Sequence, residues 1–481
     1  MATNVFGVCV ILFGILVQFM HRRYALYGMV ILTLFGAAAA VTLPAMGGAS
    51  ILVANAFMVF FALRILRVTG LTPAVSSLLY PSTGFWLLLL IIYGLVATAF
   101  FPRLMAGITE TMVVQRLPAG LSRIALNPLS FSSTHITQTV YALGGIACFA
   151  ASFAYFRTRD AYQHFLSAFF ILCGLNVLFA LADLITFATG PIDFLDFIHT
   201  ANYSLMTNVE MGGLKRISGT FPESSSFASF TLILFAISAS LYLDHVRPFT
   251  SGTFALAFLI LLALSTSGTA YVGLIFVLLM LTVQSILPVL HGEKMRKPLL
   301  LYAGGLSLIA VILLAAVLSP TLVDAIASFL DESLLGKLDS DSGRERGHWN
   351  EVAWSNFIDS YGLGVGIGGA RASSYLFVLL SNVGLPGLLC FAAFTLSTLF
   401  RRSVLRNGTV ERHIVRAIGS GLGASLIAAF LVSTVYDLGM LFYVLAGGAA
   451  VAVFPVVTSR ISANISNKNA ARIGRQIAPA P

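Results

Sequence analysis

Long apolar runs recur from one end of the chain to the other, and they limit its fold more than any other feature. Runs of about 18–22 residues can cross roughly 30 Å of hydrocarbon as α-helix. Hydrophobic residues make up 58% of the chain and charged residues only 10%, whereas a soluble domain carries about a quarter charged residues. The sequence therefore predicts an all-α polytopic membrane protein with no separate soluble domain.

Thirteen segments are candidate membrane spans, and twelve is an alternative count because the third and the eighth are short. They lie near 4–20, 24–44, 47–63, 84–101, 136–156, 165–188, 224–243, 252–266, 269–290, 298–318, 373–400, 415–435 and 439–457. Residues 1–458 are thus expected to form a single multi-pass domain. The remaining residues, 459–481, are polar and basic, and we expect a disordered cytoplasmic tail there.

The positions of the basic residues orient the predicted helices. Arg22 and Arg23 follow the first apolar run instead of preceding it, which argues against a cleavable signal peptide and favours an N-terminus outside the membrane. Alternation from that start places most of the 28 basic residues on the cytoplasmic side, as the positive-inside rule requires. The formal net charge of +9 then faces anionic lipid, and it does not indicate a nucleic-acid partner.

Three predicted outer segments are longer than the other connections, at about 102–135, 189–223 and 319–372. Long connections of this kind often carry function. The third is a large loop between the tenth and eleventh predicted spans, and it contains "SGRERGHWNEVAW" at 342–354. Two arginines, two glutamates and a histidine are therefore concentrated in a short stretch of a weakly charged chain.

The pattern within 343–358 predicts an amphipathic helix at the outer membrane surface. Its apolar face would carry Trp349, Val352, Ala353 and Phe357, whereas Arg346, Asn350 and Asp359 would project elsewhere. Such a helix could be an ordinary interfacial tether, or it could form one wall of a site.

A glycine-rich stretch, "YGLGVGIGGARASS", follows at 361–374. Gly364, Gly366 and Gly369 match the dinucleotide-binding spacing, but no strand of a βαβ unit precedes them, so we reject that interpretation. Repeated glycines permit irregular backbone at membrane depth. The segment is therefore predicted either to line a cavity or to pack tightly against neighbouring helices.

The second outer segment ends with "GGLKRISGTFPESSS". Lys215 and Arg216 are its basic residues, and Glu223 lies just before the next predicted span. An arginine at a membrane boundary can tether the chain to lipid phosphate. It can equally hold a diphosphate substrate, because its planar guanidinium matches phosphate oxygens.

These segments together resemble the O-antigen ligase and polymerase superfamily of bacterial membrane glycosyltransferases, over roughly residues 200–400. The Arg–x–x–Gly–Thr–Phe element of that family corresponds to Arg216, Gly219, Thr220 and Phe221, and its Ser–Gly–Arg then Trp element to Ser342, Gly343, Arg344 and Trp349. The ligase signature begins with a histidine, where this chain has Ser373, followed by Ser374 and later by Gly384 and Gly387. This departure favours a polymerase of repeat units over a ligase.

The resemblance implies a donor oligosaccharide on polyprenyl diphosphate, at the outer face of a bacterial inner membrane. It implies transfer to a sugar hydroxyl without metal or cofactor, alongside a chain-length regulator and a flippase of the same pathway. Converging arginines would stabilise the leaving diphosphate, and a His or carboxylate would accept the hydroxyl proton. The expected catalytic residues are Arg216, Arg344, Glu345 and His348, and the expected substrate-binding residues are Lys215, Glu223, Arg346, Arg371, Ser373 and Ser374.

Three alternatives stay open at this point, and one of them, a non-catalytic assembly subunit, would fit better if the outer arginines were absent. A ligase would transfer finished polymer from the same donor. A lipid-linked oligosaccharide flippase would show inverted repeats, and none is visible. Asp183 and Asp437 are also functional candidates, because an ionisable group at membrane depth is costly, although Asp437 is expected in a short outer turn.

Overall fold

The computed structural model describes residues 2–43, 49–116, 122–189, 195–201, 206–207, 210–211, 214–290, 341–401, 403–405 and 408–454. The helices of these residues are α1 Val5–Val17, α2 Arg22–Leu32, α3 Val53–Thr69, α4 Leu71–Leu78, α5 Gly84–Leu104, α6 Ser133–Phe156, α7 Ala161–Thr189, α8 Ser224–Leu243, α9 Pro248–Leu264, α10 Gly268–Leu290, α11 Asp341–Asp359, α12 Tyr375–Phe400, α13 Val410–Val432 and α14 Met440–Val453. The strands are β1 Ala2–Thr3, β2 Ala39–Leu43, β3 Ala49–Leu52, β4 Glu110–Arg116, β5 Ser122–Pro128, β6 Glu210–Met211 and β7 Leu214–Lys215.

Seven helices of the described residues are long and apolar enough to cross a membrane: α5, α6, α7, α8, α10, α12 and α13. The helices α3 and α4 are bent by 111° at their junction and give an eighth span if they are counted together. The prediction of a helical polytopic membrane protein is confirmed, whereas the count of thirteen spans stays a prediction. The tenth predicted span (298–318), the first part of the large loop (319–340) and the tail (459–481) lie outside the described residues.

The prediction was wrong in detail near the N-terminus, where apolar runs form strands as well as helices. The second predicted span, 24–44, is helical only to Leu32, and Ala39–Leu43 is a strand that pairs with β1 and β3 in an antiparallel sheet. The third predicted span, 47–63, likewise begins as β3, and its helix runs from Val53 to Thr69. A short apolar run alone does not distinguish a strand from a helix.

Helix α8 lies at the centre of the bundle. In its 18-residue apolar stretch, 83% of the residues are buried, the largest share among the seven candidate spans. It packs against α9, α10 and α13. Small residues allow close approach, since a Cβ added to Gly421 of α13 would lie 2.6 Å from the Ile237 side chain of α8. Acidic residues cap both ends of α8, Glu223 at the N-terminus and Asp244 at the C-terminus.

The glycine-rich segment packs tightly between α5 and α12. The φ angles of Gly362, Gly364, Gly366 and Gly368 are all positive, which side chains other than glycine rarely tolerate. The backbone N–H groups of this segment donate hydrogen bonds to both helices. On α12, Val365 donates to Ser381 O (2.8 Å), Gly366 to Asn382 O (2.9 Å) and Gly368 to Asn382 Oδ1 (2.7 Å). On α5, Ile367 donates to Thr98 Oγ1 (2.8 Å). These contacts favour tight packing over the lining of a cavity.

The amphipathic helix predicted within 343–358 is present as α11. Its packed face is more polar than expected, because Asn350 lies there instead of projecting away. The Asn350 Oδ1 accepts the backbone N–H of Ser373 at 2.7 Å, and the Asn356 amide donates to Thr109 Oγ1 and to the backbone oxygen of Glu110. The α11 helix is thereby fixed by hydrogen bonds to the segments before α12 and after α5.

Candidate functional site

The segment 215–221, which carries Arg216, is fixed to the last turns of α7 by one buried carboxylate. The Asp183 Oδ1 lies 2.5 Å from the Lys215 ammonium, and both side chains are only 4% exposed. The Asp183 Oδ2 accepts the backbone N–H groups of Ser218 at 2.8 Å and Gly219 at 2.9 Å. Lys215, expected to bind substrate, therefore has its charge paired inside the protein.

The opposite side of this segment is fixed as well. The backbone N–H of Ala37 donates to Thr220 O at 3.0 Å, and the Thr220 hydroxyl donates to Leu34 O at 2.6 Å. The His199 Nε2 donates to Gly219 O at 2.9 Å. Every residue of 215–221 is buried except Arg216, which is half-buried.

Arg216 lies within electrostatic range of groups from two other parts of the chain. Burial lowers the pKa of its guanidinium from the ordinary value, and the positive charge of Arg346 on α11 lowers it further. The carboxylate of Glu223 acts in the opposite direction and raises this pKa. The buried Nε of Arg216 has no hydrogen-bond partner among the described residues.

Arg371, in the glycine-rich stretch at 361–374, lies within electrostatic range of the same carboxylate. Burial lowers the pKa of its guanidinium, and Glu223 raises it. Its Nη2 donates to Thr434 Oγ1 at 2.9 Å, but its buried Nε, like that of Arg216, has no partner within the described part of the chain. We call Arg216, Arg346 and Arg371, together with Glu223, the arginine cluster.

Glu223 makes no direct ion pair among the described residues, and its charge is stabilised in other ways. It is the N-cap residue of α8, where the helix dipole favours a negative charge. Its Oε1 accepts the hydroxyls of Ser225 and Ser226. Arg216 and Arg371 therefore both lie within electrostatic range of one carboxylate that already accepts hydrogen bonds, and Arg346 lies within range of Arg216, so the cluster has an excess of positive charge.

Such a cluster suits an anion with several oxygens. A buried donor without an acceptor costs free energy, and two guanidinium Nε groups are in that state here. A diphosphate would supply acceptors to both and would match the planar guanidinium groups. The arrangement could hold such a group in a bound substrate and also stabilise its charge as it leaves.

The other predicted site residues lie in different surroundings. Arg344, Glu345 and His348 have exposed side chains on α11, and the His348 Nδ1 lies 3.8 Å from the carboxylate of Glu351. Ser373 is buried, and Ser374 is the N-cap residue of α12. The structure therefore brings together Arg216, Glu223, Arg346 and Arg371 of the predicted set.

The sequence did not reveal the role of Asp183. Its position in an apolar span marked it as unusual, but its partners are 32 to 36 residues away along the chain. Asp437 does lie in the short connection between α13 and α14, where burial raises its pKa to about 6. Within the described residues, no group of three or more His, Cys, Asp or Glu side chains could hold a metal ion.

Comparison with known proteins adds no family to this geometry. No protein-family model matches the chain, and no curated protein matches it.

Proposed function

We propose that the protein is a polymerase of lipid-linked oligosaccharide repeat units of the exopolysaccharide or O-antigen type. The observation that carries this proposal is the arginine cluster, in which Arg216 and Arg371 both act electrostatically on Glu223 at the start of α8 and each has a buried Nε without a partner among the described residues. A cationic site at the end of a membrane-spanning helix suits a substrate with a diphosphate group and a lipid tail. The resemblance of the 216–221 and 342–349 motifs to the O-antigen ligase and polymerase superfamily supports the same substrate class.

In the proposed reaction, a hydroxyl oxygen of the acceptor sugar bonds to the anomeric carbon of the donor glycan. The bond from that carbon to the diphosphate oxygen breaks, and the polyprenyl diphosphate leaves with the electron pair. The arginines stabilise the negative charge that grows on the leaving group. Glu223 accepts the hydroxyl proton, because it is the carboxylate placed among these arginines, whereas Glu345 and His348 are exposed.

Ser373 separates this proposal from the related ligase reaction. The ligase signature has a histidine at this position, whereas the side chain here is a buried serine that cannot act as a base at neutral pH. We also propose that the cluster faces the outer side of the bacterial inner membrane, because the distribution of basic residues places the start of α8 there. The donor's diphosphate would then lie at the outer membrane surface.

The test replaces Arg216 by alanine in cells that lack the native gene. We expect polymer to disappear at normal protein levels while lipid-linked single repeat units accumulate at the outer face, as measured by gel electrophoresis and mass spectrometry of extracted lipids. Arg159→Ala is the matched control, since the Arg159 side chain is 92% exposed, and we expect polymer of wild-type length.

Three outcomes would contradict the proposal. Wild-type polymer from the Arg216→Ala variant would exclude an essential role for the cluster. Accumulation of lipid-linked finished polymer would indicate a ligase. Repeat units retained at the cytoplasmic face would indicate a flippase.

A further inference from the structure

Arg216 differs from every residue around it in the segment 215–221. Lys215 before it and Ile217 after it are buried, and the rest of the segment to Phe221 is buried too. We propose that Asp183 of α7 is a positioning residue that holds the Arg216 guanidinium in the arginine cluster. The inference rests on the proposed function and adds to it a residue that does not touch the substrate.

Asp183 binds the chain on both sides of Arg216. One carboxylate oxygen holds the Lys215 ammonium, immediately before Arg216. The other oxygen accepts three hydrogen bonds from the residues that follow: the Ser218 N–H (2.8 Å), the Ser218 hydroxyl (3.3 Å) and the Gly219 N–H (2.9 Å). With both flanks fixed to one rigid helix, the backbone at Arg216 has little freedom to move.

This arrangement depends on two acceptor oxygens, and therefore on a carboxylate. An asparagine has one acceptor oxygen, and its NH₂ group would face either the Lys215 ammonium or the N–H groups of Ser218 and Gly219. A buried ion pair gains little net stability, because desolvation offsets the attraction. The pair is better explained by the orientation that it imposes than by the stability that it adds.

The segment should remain folded when Asp183 is changed, because its other side is held separately. Thr220 bonds to Leu34 and Ala37, and His199 bonds to Gly219, without involving Asp183. Phe221 packs into the core beside Phe230, with ring centroids 5.0 Å apart. The expected effect of Asp183→Asn is therefore a displaced Arg216 in a folded protein.

The first experiment measures the binding of inorganic pyrophosphate to the purified full-length chain by calorimetry at low salt. Asp183→Asn and Arg216→Ala should each weaken binding about tenfold, the effect of losing one charged hydrogen bond. The double variant should bind no more weakly than Arg216→Ala alone, since Asp183 acts through Arg216. Asp196→Asn, at an exposed position, should bind as the wild type does.

An unchanged affinity in Asp183→Asn, or additive losses in the double variant, would overturn the positioning role. Lys215→Gln provides a milder second variant, because it removes the ammonium and leaves Asp183 in place. It should weaken binding in the same direction by a smaller factor.

The second experiment does not depend on the proposed function. A spin label is attached at Arg216→Cys in a chain whose four native cysteines, Cys9, Cys148, Cys173 and Cys390, are replaced. Its spectrum should show greater mobility after Asp183→Asn and no change after Asp196→Asn. An unchanged label would overturn the inference, whereas a mobile label after Asp183→Asn, together with no pyrophosphate binding by the chain that retains Arg216, would support positioning and overturn the proposed function.

Discussion

The two ends of α8 carry the same kinds of charged residue in opposite arrangements. At the C-terminal end, the Asp244 carboxylate is 2% exposed and lies 3.1 Å from Arg416 Nη1 and 3.0 Å from His413 Nδ1. At the N-terminal end, the Glu223 carboxylate accepts serine hydroxyls, and Arg216 and Arg371 act on it at longer range. Within the described residues, the C-terminal carboxylate therefore makes direct ion pairs, whereas the N-terminal carboxylate makes none and has arginines only at longer range.

The helix dipole explains why the two ends differ. A carboxylate at a helix C-terminus is repelled by the last carbonyl groups, so Asp244 requires cations in direct contact. A carboxylate at a helix N-terminus is favoured by the first N–H groups, so Glu223 leaves the nearby guanidinium groups available. Charged clusters of similar composition can therefore serve stability at one end of a helix and binding at the other.

The largest expected effect concerns the N-terminal end of α8. Under the proposed function, Glu223→Gln should lower the transfer rate of the purified protein about 100-fold, because the proposed proton acceptor is lost. Pyrophosphate affinity should rise about threefold, since the excess positive charge grows. Glu210→Gln, an exposed change in the same part of the chain, should alter neither quantity, and a Glu223→Gln variant with wild-type rate would exclude Glu223 as the base.

A comparison of unfolding free energies tests whether the arginine at the C-terminal end of α8 stabilises the fold and the arginine at the N-terminal end does not. Arg416→Ala should lower the free energy of unfolding by about 2 kcal/mol, because it removes a charged hydrogen bond from buried Asp244. Arg216→Ala should leave this free energy unchanged or higher, since it removes a desolvated cation close to Arg346. Thermal unfolding of the purified proteins in one detergent measures both, and an equal loss at the two ends would contradict the distinction.

The smallest effect distinguishes two arginines on α11. Arg346→Ala should weaken pyrophosphate binding about threefold, a modest change because the side chain is half-buried and partly screened by solvent. Arg344→Ala should change it less, since that side chain is exposed. The loss of pyrophosphate affinity in Arg346→Ala should become smaller as salt is added. A larger loss of affinity in Arg344→Ala than in Arg346→Ala would indicate that Arg344 belongs to the site.

The sequence allowed the membrane class, the seven long apolar helices and α11 to be predicted, because apolar length and helical periodicity are local properties. It also indicated Arg216, Arg346, Arg371 and Glu223 as site candidates. It did not separate Arg346 from Arg344, because the packed face of α11 is set by Asn350 and Asn356 bonding to other segments. The strand at Ala39–Leu43 was missed for the same reason, since sheet pairing is a tertiary property.

The length of α8 also matches the thickness of a bilayer. Its 20 residues span about 30 Å at 1.5 Å per residue, which matches the thickness of a hydrocarbon layer. The acidic caps resist entry into lipid, so the helix cannot slide along the membrane normal to follow a change in thickness. Under the proposed function, lipid chain length would consequently set the height of the donor's head group relative to the arginines, and bilayer composition would influence the transfer rate.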